Sequence, residues 1–204
     1  MILTVCSFKG GVGKTTTAIH LAGYLQTLGS TLLVDADLNR SAVVWSRKNK
    51  LPFRVVDERQ ATMTTRSHTP VHTVIDTAAR PDPDVVQVLA EGCDFLVVPT
   101  IPDALSIAAL LSIAKTLQEL KARWRVLLTM VPPAPNTDGA NARDQLIHAG
   151  LPLFSTSISR TIHFPRAALH GVLVENLPKR KGEQAAEEYR RVAHEIPGLK
   201  GIPR

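Results

Sequence analysis

The sequence predicts an α/β fold in which helices cover both faces of a mostly parallel sheet. Three observations favour it. Short apolar runs alternate with helix-like patterns along the 204 residues. A glycine-rich loop joins the first predicted strand to the first predicted helix, and two later predicted strands end in aspartate. Strands that alternate with helices form parallel sheets with right-handed crossovers.

The predicted strands are apolar runs bounded by turn signals, at residues 2–8, 31–35, 53–56, 71–76, 95–98, 125–130 and 153–158. Helical patterns cover residues 14–28, 41–48, 83–91, 104–121, 140–149, 164–170 and 182–195, and Asp103 is placed to cap the longest of them. Residues 57–70 are polar and threonine-rich, which is typical of a loop or a weak helix. No repeat or linker interrupts this order, so residues 1–204 are predicted to form one domain.

Composition narrows the class of protein. Hydrophobic residues make up 44% of the chain, which indicates a globular protein. The N-terminus enters a strand directly and resembles no signal peptide, so we expect a cytoplasmic protein. The net charge is +6, and all of this excess lies in residues 121–204. A one-sided basic excess raises the expectation of a polyanionic partner, although solvated surface charge explains it equally simply.

The loop after the first strand carries the strongest chemical signal. Its glycines allow backbone N–H groups to close around phosphate oxygens at a helix N-terminus. Lys14 is expected to pair with the β- and γ-phosphates, and the Thr15 hydroxyl to bind Mg²⁺. The predicted nucleotide contacts of this loop are Gly10, Gly11, Val12, Gly13, Lys14, Thr15 and Thr16.

A second lysine, Lys9, opens this loop. With it, residues 9–16 resemble the deviant Walker A motif of the ParA/MinD family, a SIMIBI-like group of P-loop NTPases. The resemblance extends from residue 1 to about residue 196 and is greatest to small ParA proteins, such as ParF-like partition ATPases and McdA proteins. It implies that ATP closes a sandwich homodimer in which Lys9 touches the phosphates of the opposite subunit. A cation supplied in trans stabilises transition-state charge as an arginine finger does. Lys9 and Lys14 are therefore both predicted to be catalytic.

Three aspartates follow predicted strands and are expected beside the phosphates. Asp76 ends an apolar strand, as a Walker B residue does, and would hold Mg²⁺ through water. The resemblance implies that Asp37 positions the attacking water and that Asp35 belongs to the Mg²⁺ shell. Relatives often continue with Pro-Gln where this chain has Leu38 and Asn39. Turn capping is the alternative role for these aspartates.

The resemblance implies two further surfaces. Residues 99–106 resemble a Pro-x-x-Pro-x-x-Leu segment that lies at the nucleotide-dependent dimer face. Residues 129–132 end a later predicted strand where the family holds adenine, so Met130 and Pro132 are predicted nucleotide contacts.

The basic C-terminal part suggests contact with DNA phosphates without sequence readout. The candidate residues are Lys179, Arg180, Lys181, Arg190 and Arg191. The leading function is thus a partition or cargo-positioning ATPase with ATP and Mg²⁺ as cofactors. Its ATP-bound dimer would bind nucleoid DNA nonspecifically until a ParB-like or adaptor protein stimulates hydrolysis.

Two alternatives stay open. The first is a MinD-like membrane-associated positioning ATPase. Such proteins end in an amphipathic helix, whereas prolines and glycines break residues 187–204 here, so no stable membrane association is expected. The second is a metabolic P-loop enzyme or metallocluster reductase of the same fold, for which Cys93 gives only slight support.

Overall fold

Six parallel strands form the sheet of the computed structural model, which describes residues 1–67, 69–119, 123–178 and 182–199. The strands are β1 (Ile2–Ser7), β2 (Thr31–Ala36), β3 (Arg54–Asp57), β4 (His72–Ala79), β5 (Phe95–Thr100) and β6 (Trp124–Leu128). Their spatial order is β3-β2-β4-β1-β5-β6. The parallel α/β fold predicted from the alternating pattern is confirmed.

Helices connect these strands and cover both faces of the sheet. They are α1 (Lys14–Gln26), α2 (Ser41–Ser46), α3 (Glu58–Ser67), α4 (Pro83–Glu91), α5 (Ala104–Leu111), α6 (Ala114–Glu119), α7 (Asp138–His148), α8 (His163–His170) and α9 (Glu183–His194), with a 3₁₀ turn at Val174–Asn176. Side chains of α1, α2, α8 and α9 form one apolar core with Leu3 and Val5. Side chains of α4 to α7 form a second core with Cys6. Alternating residues of β1 therefore enter opposite layers, as the twofold period of a strand requires.

The structure decides one predicted element that was left open and differs from two others. Residues 57–70 were open between a loop and a weak helix, and α3 occupies most of them. The long helix predicted at residues 104–121 is divided between α5 and α6. The Ser112 hydroxyl donates to the Ala109 carbonyl at the division, a bond that competes with the helical ladder.

The regular strand predicted at residues 153–158 is wrong. Among the described residues, the pairing is limited to two isolated bridges, Val126 to Leu153 and Val131 to Ser159. Phe154 and Ile158 bond to backbone groups of β6, but the groups between them bond to side chains: Glu195 accepts from the Ser155 and Thr156 amides, and Arg143 donates to the Phe154 and Ser155 carbonyls. The apolar pattern of these residues predicted their burial correctly. Hydrogen bonds to side chains, however, replace part of the backbone hydrogen bonding that a regular strand would have.

The strand order brings the carboxyl ends of β1, β2 and β4 together. In the parallel register of β2 and β4, Asp35 pairs with Asp76. The loop that leaves β1 enters α1 directly above this pair. Within the described ranges, no helix has both the length and the apolar character needed to cross a bilayer.

Candidate nucleotide-binding site

The glycine loop between β1 and α1 has the open shape of a phosphate cradle. Gly11 and Gly13 have φ angles of 78° and 84°, in the left-handed region that side chains disfavour. A Cβ added at Gly10 or Gly11 would meet nothing within 4 Å, so one side of the loop is open to a ligand. Gly13 precedes α1, whose free N–H groups and dipole attract anions. The loop lines a cavity of about 650 Å³.

Lys14 lies at the base of this cavity and is only 7% exposed. Its Nζ atom is 3.8 Å from Asp37 Oδ2. Asp37 Oδ1 accepts hydrogen bonds from the Asn39 backbone amide, at 2.9 Å, and from the Asn39 side chain, at 3.0 Å. Asn39 therefore fixes the carboxylate that faces Lys14.

Thr15 and Asp76 form the tightest polar contact at the base of the loop. The Thr15 hydroxyl donates to Asp76 Oδ2 at 2.7 Å, and the buried Oδ1 has no hydrogen-bond partner among the described residues. Burial raises the pKa of Asp76 to about 7, against the lowering effects of Thr15 and Lys14. A buried carboxylate oxygen without a partner is costly unless a cation or water binds it.

These two side chains fit a magnesium ion. Mg²⁺ favours hard oxygen ligands and usually keeps several waters beside one or two protein groups and the phosphates. Among the described residues, no three His, Cys, Asp or Glu side chains converge on a common metal position. A site in which the nucleotide supplies most ligands needs no such cluster.

Asp35 is fully buried and both of its carboxylate oxygens accept backbone hydrogen bonds. Oδ1 accepts from the Asp37 amide at 3.2 Å, and Oδ2 accepts from the Val43 amide at 3.0 Å. These bonds tie the end of β2 to the start of α2. Asp35 therefore holds the backbone that carries Asp37, and its place in a Mg²⁺ shell stays a prediction.

Lys9 does not point into the cavity of its own subunit. Its Nζ atom donates to Asp103 Oδ1 at 2.9 Å and to Oδ2 at 3.3 Å. Asp103 caps α5 as predicted, since it accepts from the Ser106 amide. The structure thus separates the two lysines of the loop, with Lys14 inside the site and Lys9 at the 99–106 segment.

An apolar pocket of about 250 Å³ adjoins the phosphate cavity. Met130, at a φ of 50°, lines both spaces, whereas Pro132 is not among the residues that line either. No sequence motif predicted most of the other walls, which come from α2, α8, α9 and the segment before α8: Trp45, Ile158, Ser159, Arg160, Thr161, Phe164 and Tyr189. Its position beside the glycine loop and its aromatic lining suit a nucleoside base.

A buried histidine that sequence reasoning missed supports this pocket from behind. His20 stacks on Tyr189 and makes edge contacts with Trp45 and Phe164. Its Nδ1 atom bonds the Thr16 carbonyl at 2.7 Å, and Nε2 accepts from the Val174 amide at 3.1 Å. Both ring nitrogens are therefore used by the neutral ring, and burial lowers the pKa of His20 to about 4. The feature of the sequence that could have identified His20 is the presence of a polar residue on an otherwise apolar face of α1.

The candidate DNA-binding residues lie partly outside the described ranges. Lys179, Arg180 and Lys181 belong to that part, so their placement stays a prediction. Arg190 and Arg191 lie on the outer side of α9, and both are paired with Glu187. The Arg191 Nε atom is 3.8 Å from Glu187 Oε1. Glu187 therefore competes with any phosphate for these two arginines.

Comparison with known proteins places this geometry in a family. Residues 3–174 match the model of the CobQ/CobB/MinD/ParA nucleotide-binding domain. The chain belongs to this family. It is 32% identical over 203 residues to the maintenance of carboxysome distribution protein A of Gloeobacter kilaueensis, covering 96% of this chain and 93% of the relative.

Solved structures of the family share the fold. A Cyanothece McdA variant in complex with ATP superposes with a TM-score of 0.79 at 16% identity, covering 100% of this chain and 98% of that one. The septum site-determining protein MinD of Pyrococcus horikoshii, complexed with Mg-ADP, gives 0.71 at 18% identity, covering 99% of each chain. The chain is an ATPase of the ParA/MinD type, and the resemblance seen in residues 9–16 is confirmed.

Proposed function

We propose that this ParA/MinD ATPase uses ATP and Mg²⁺ to position a cargo on DNA, with residues 1–204 acting as one domain. The proposed ATPase site rests on the contact of Thr15 with Asp76 beneath the glycine loop, at 2.7 Å. The second Asp76 oxygen has no hydrogen-bond partner in the part of the chain that the structure describes. The positioning role is supported by the match over almost the full length of a carboxysome distribution protein.

The binding part of the reaction uses the phosphate cradle and the adjoining pocket. Gly10, Gly11 and Gly13 leave room for the phosphates, and Lys14 would move from Asp37 to the β- and γ-phosphates. Mg²⁺, held at the Thr15 hydroxyl and the Asp76 carboxylate, would neutralise charge on the phosphate oxygens. Met130 and the aromatic walls would hold the base, because an apolar ring gains from burial there.

In the hydrolysis step, Asp37 and Lys9 would have separate roles. Asp37, held by Asn39, would orient the attacking water. Lys9 would leave Asp103 and reach the phosphates of a second subunit, where a cation stabilises the developing charge. Hydrolysis would therefore depend on a homodimer that only ATP assembles.

The output of this cycle would be timed release from DNA. The ATP-bound dimer would place the basic residues of two subunits on one face, and phosphate contacts there carry no sequence preference. While ATP is bound, the protein would be cytoplasmic and associated with the nucleoid. A ParB-like or adaptor protein would stimulate hydrolysis and so release the protein from DNA.

Light scattering and salt-dependent DNA binding test this function together. We expect the purified protein to be monomeric with ADP, and dimeric and bound to random-sequence duplex DNA with ATP and Mg²⁺. Asp37→Ala should prolong the dimer by blocking hydrolysis, and Lys14→Ala should abolish nucleotide binding. A protein that binds ATP and hydrolyses it but stays monomeric, or binds DNA equally without nucleotide, would contradict the proposal.

A further inference from the structure

Glu188 is a buried carboxylate on α9 that the proposed reaction does not use. It is 7% exposed, and both of its oxygens bond to Ser159. Oε2 accepts from the Ser159 backbone amide at 2.9 Å, and Oε1 accepts from the Ser159 hydroxyl at 2.6 Å. A buried carboxylate that accepts two hydrogen bonds from one residue fixes that residue strongly, because charged hydrogen bonds exceed neutral ones in strength.

Ser159 lies in the wall of the apolar pocket, together with Ile158, Arg160 and Thr161. The backbone bonds of this wall run to one side only. Ile158 donates to the Leu128 carbonyl, and the Arg160 amide donates to the Val131 carbonyl. The Ser159 amide points to the other side, where a regular sheet would place a further strand. Glu188 takes the position of that missing strand.

We propose that Glu188 is a positioning residue for the nucleoside base, which acts by holding Ser159 and with it one wall of the pocket. The inference rests on the proposed assignment of this pocket to the base. Glu188 itself does not line the pocket, so it would act on the base only through Ser159. Its next neighbour on α9, Tyr189, does line the pocket, so a single turn of this helix fixes two of its walls.

A second glutamate of the same region provides a matched control. Glu195 accepts hydrogen bonds from the Ser155 and Thr156 amides at 2.6 and 2.8 Å. Like Glu188, Glu195 accepts two hydrogen bonds at its carboxylate, and it also pairs with Arg125 at 3.8 Å, but neither Ser155 nor Thr156 lines the pocket. If such contacts only stabilise the fold, alanine substitution of Glu188 and of Glu195 should reduce stability similarly. The two variants should then have the same affinity for nucleotide.

The experiment compares the binding of ADP and of inorganic pyrophosphate by calorimetry, with Mg²⁺ present. Pyrophosphate probes the glycine loop alone, whereas ADP also occupies the base pocket. In Glu188→Ala we expect the Kd for ADP to rise by about tenfold, which corresponds to roughly 1.4 kcal/mol. The Kd for pyrophosphate should stay unchanged. Glu195→Ala should change neither value, and Glu188→Gln should restore part of the ADP affinity, because its amide oxygen still accepts from the Ser159 amide.

The outcomes separate this inference from the function on which it rests. If the unmodified protein binds ADP no more tightly than pyrophosphate, the pocket does not hold the base, and both fail. If it does prefer ADP and Glu188→Ala preserves that preference, Glu188 has no positioning role while the pocket assignment stands. Equal losses in Glu188→Ala and Glu195→Ala also overturn the inference, because they indicate general destabilisation.

Discussion

Lys9 Nζ lies 2.9 Å from Asp103 Oδ1, so the lysine that distinguishes this loop is paired within its own subunit. Asp103 also accepts from the Ser106 amide and hydroxyl at the start of α5. Desolvation opposes ionisation of Asp103, but the hydrogen bonds from Ser106 and Lys9 outweigh it and lower the pKa to about 2. The aspartate is therefore charged at neutral pH, and Lys9 must break this pair before it can reach a second subunit.

Replacing Asp103 with Asn should favour the ATP-dependent dimer. Asparagine keeps the helix cap but removes the charge that holds Lys9. Because the pair is partly exposed, its contribution is at most about 1 kcal/mol in each subunit. Two such pairs break when the homodimer forms, so we expect the dimer Kd to fall by up to roughly thirtyfold. Analytical ultracentrifugation with ATP measures this. Ser106→Ala is the control, since it removes a partner of Asp103 without releasing Lys9. An unchanged or weaker dimer in Asp103→Asn would show that the pair does not restrain assembly.

Substitution of the two lysines of the loop should impair different functions of the protein. Lys14→Ala should abolish ATP binding, because Lys14 is the buried cation of the cavity. Lys9→Ala should bind ATP almost normally but lose hydrolysis by about 10³-fold, the lower range for a cation supplied in trans. Nucleotide titrations and phosphate-release assays separate binding from turnover. Loss of ATP binding in Lys9→Ala would indicate a role within its own subunit instead.

His20 should make stability depend on pH. Its pKa is about 4 in the folded protein and about 6.5 in the unfolded chain, so the unfolded chain binds the proton more readily. The stabilisation is therefore fully present above about pH 6.5 and is lost progressively as the pH falls towards about 4, by up to about 3 kcal/mol. Urea unfolding across this range should show a steeper decline for the natural protein than for His20→Gln. His148→Gln, at an exposed histidine, should leave the slope unchanged. Parallel curves for the natural protein and His20→Gln would contradict a buried neutral ring.

Glu187 should weaken DNA binding by occupying Arg190 and Arg191. Glu187→Gln is expected to tighten the ATP-dependent complex with duplex DNA, and each arginine freed for a phosphate should steepen the logarithmic salt slope by about 0.9. Adding Arg190→Ala or Arg191→Ala to the Glu187→Gln variant should flatten the slope again by a similar amount. Fluorescence anisotropy at several salt concentrations measures these slopes. Glu119→Gln, which makes the same charge change on α6, serves as control. If Glu187→Gln and Glu119→Gln have equal effects, only net charge matters and α9 does not contact DNA.

Much of the fold followed from local patterns. Each of the six strands has apolar residues bounded by turn signals. A parallel sheet is buried on both faces, so its strands need continuous apolar runs, and such runs can be recognised in the sequence. The exceptions were the elements with mixed signals. Residues 153–158 have the apolar pattern of a strand, but the Ser155 and Thr156 amides bond to Glu195, and the amide of the next residue, Ser159, bonds to Glu188. Both glutamates lie some thirty to forty positions later in the chain. No local pattern contains that information.

By itself the sequence determined the phosphate-binding loop, because glycine, lysine and threonine at fixed spacing between a strand and a helix have few other uses. It also indicated the family through Lys9, and the aspartates that end β2 and β4. Only the tertiary structure decided that Lys9 pairs with Asp103 and that Asp35 bonds backbone amides. It also decided that His20 packs behind Trp45 and Phe164, two walls of the apolar pocket. The physical reason is the separation of the contacting residues along the chain. The loop is made by consecutive residues, whereas these contacts join residues that only the packing of helices on the sheet brings within reach of each other.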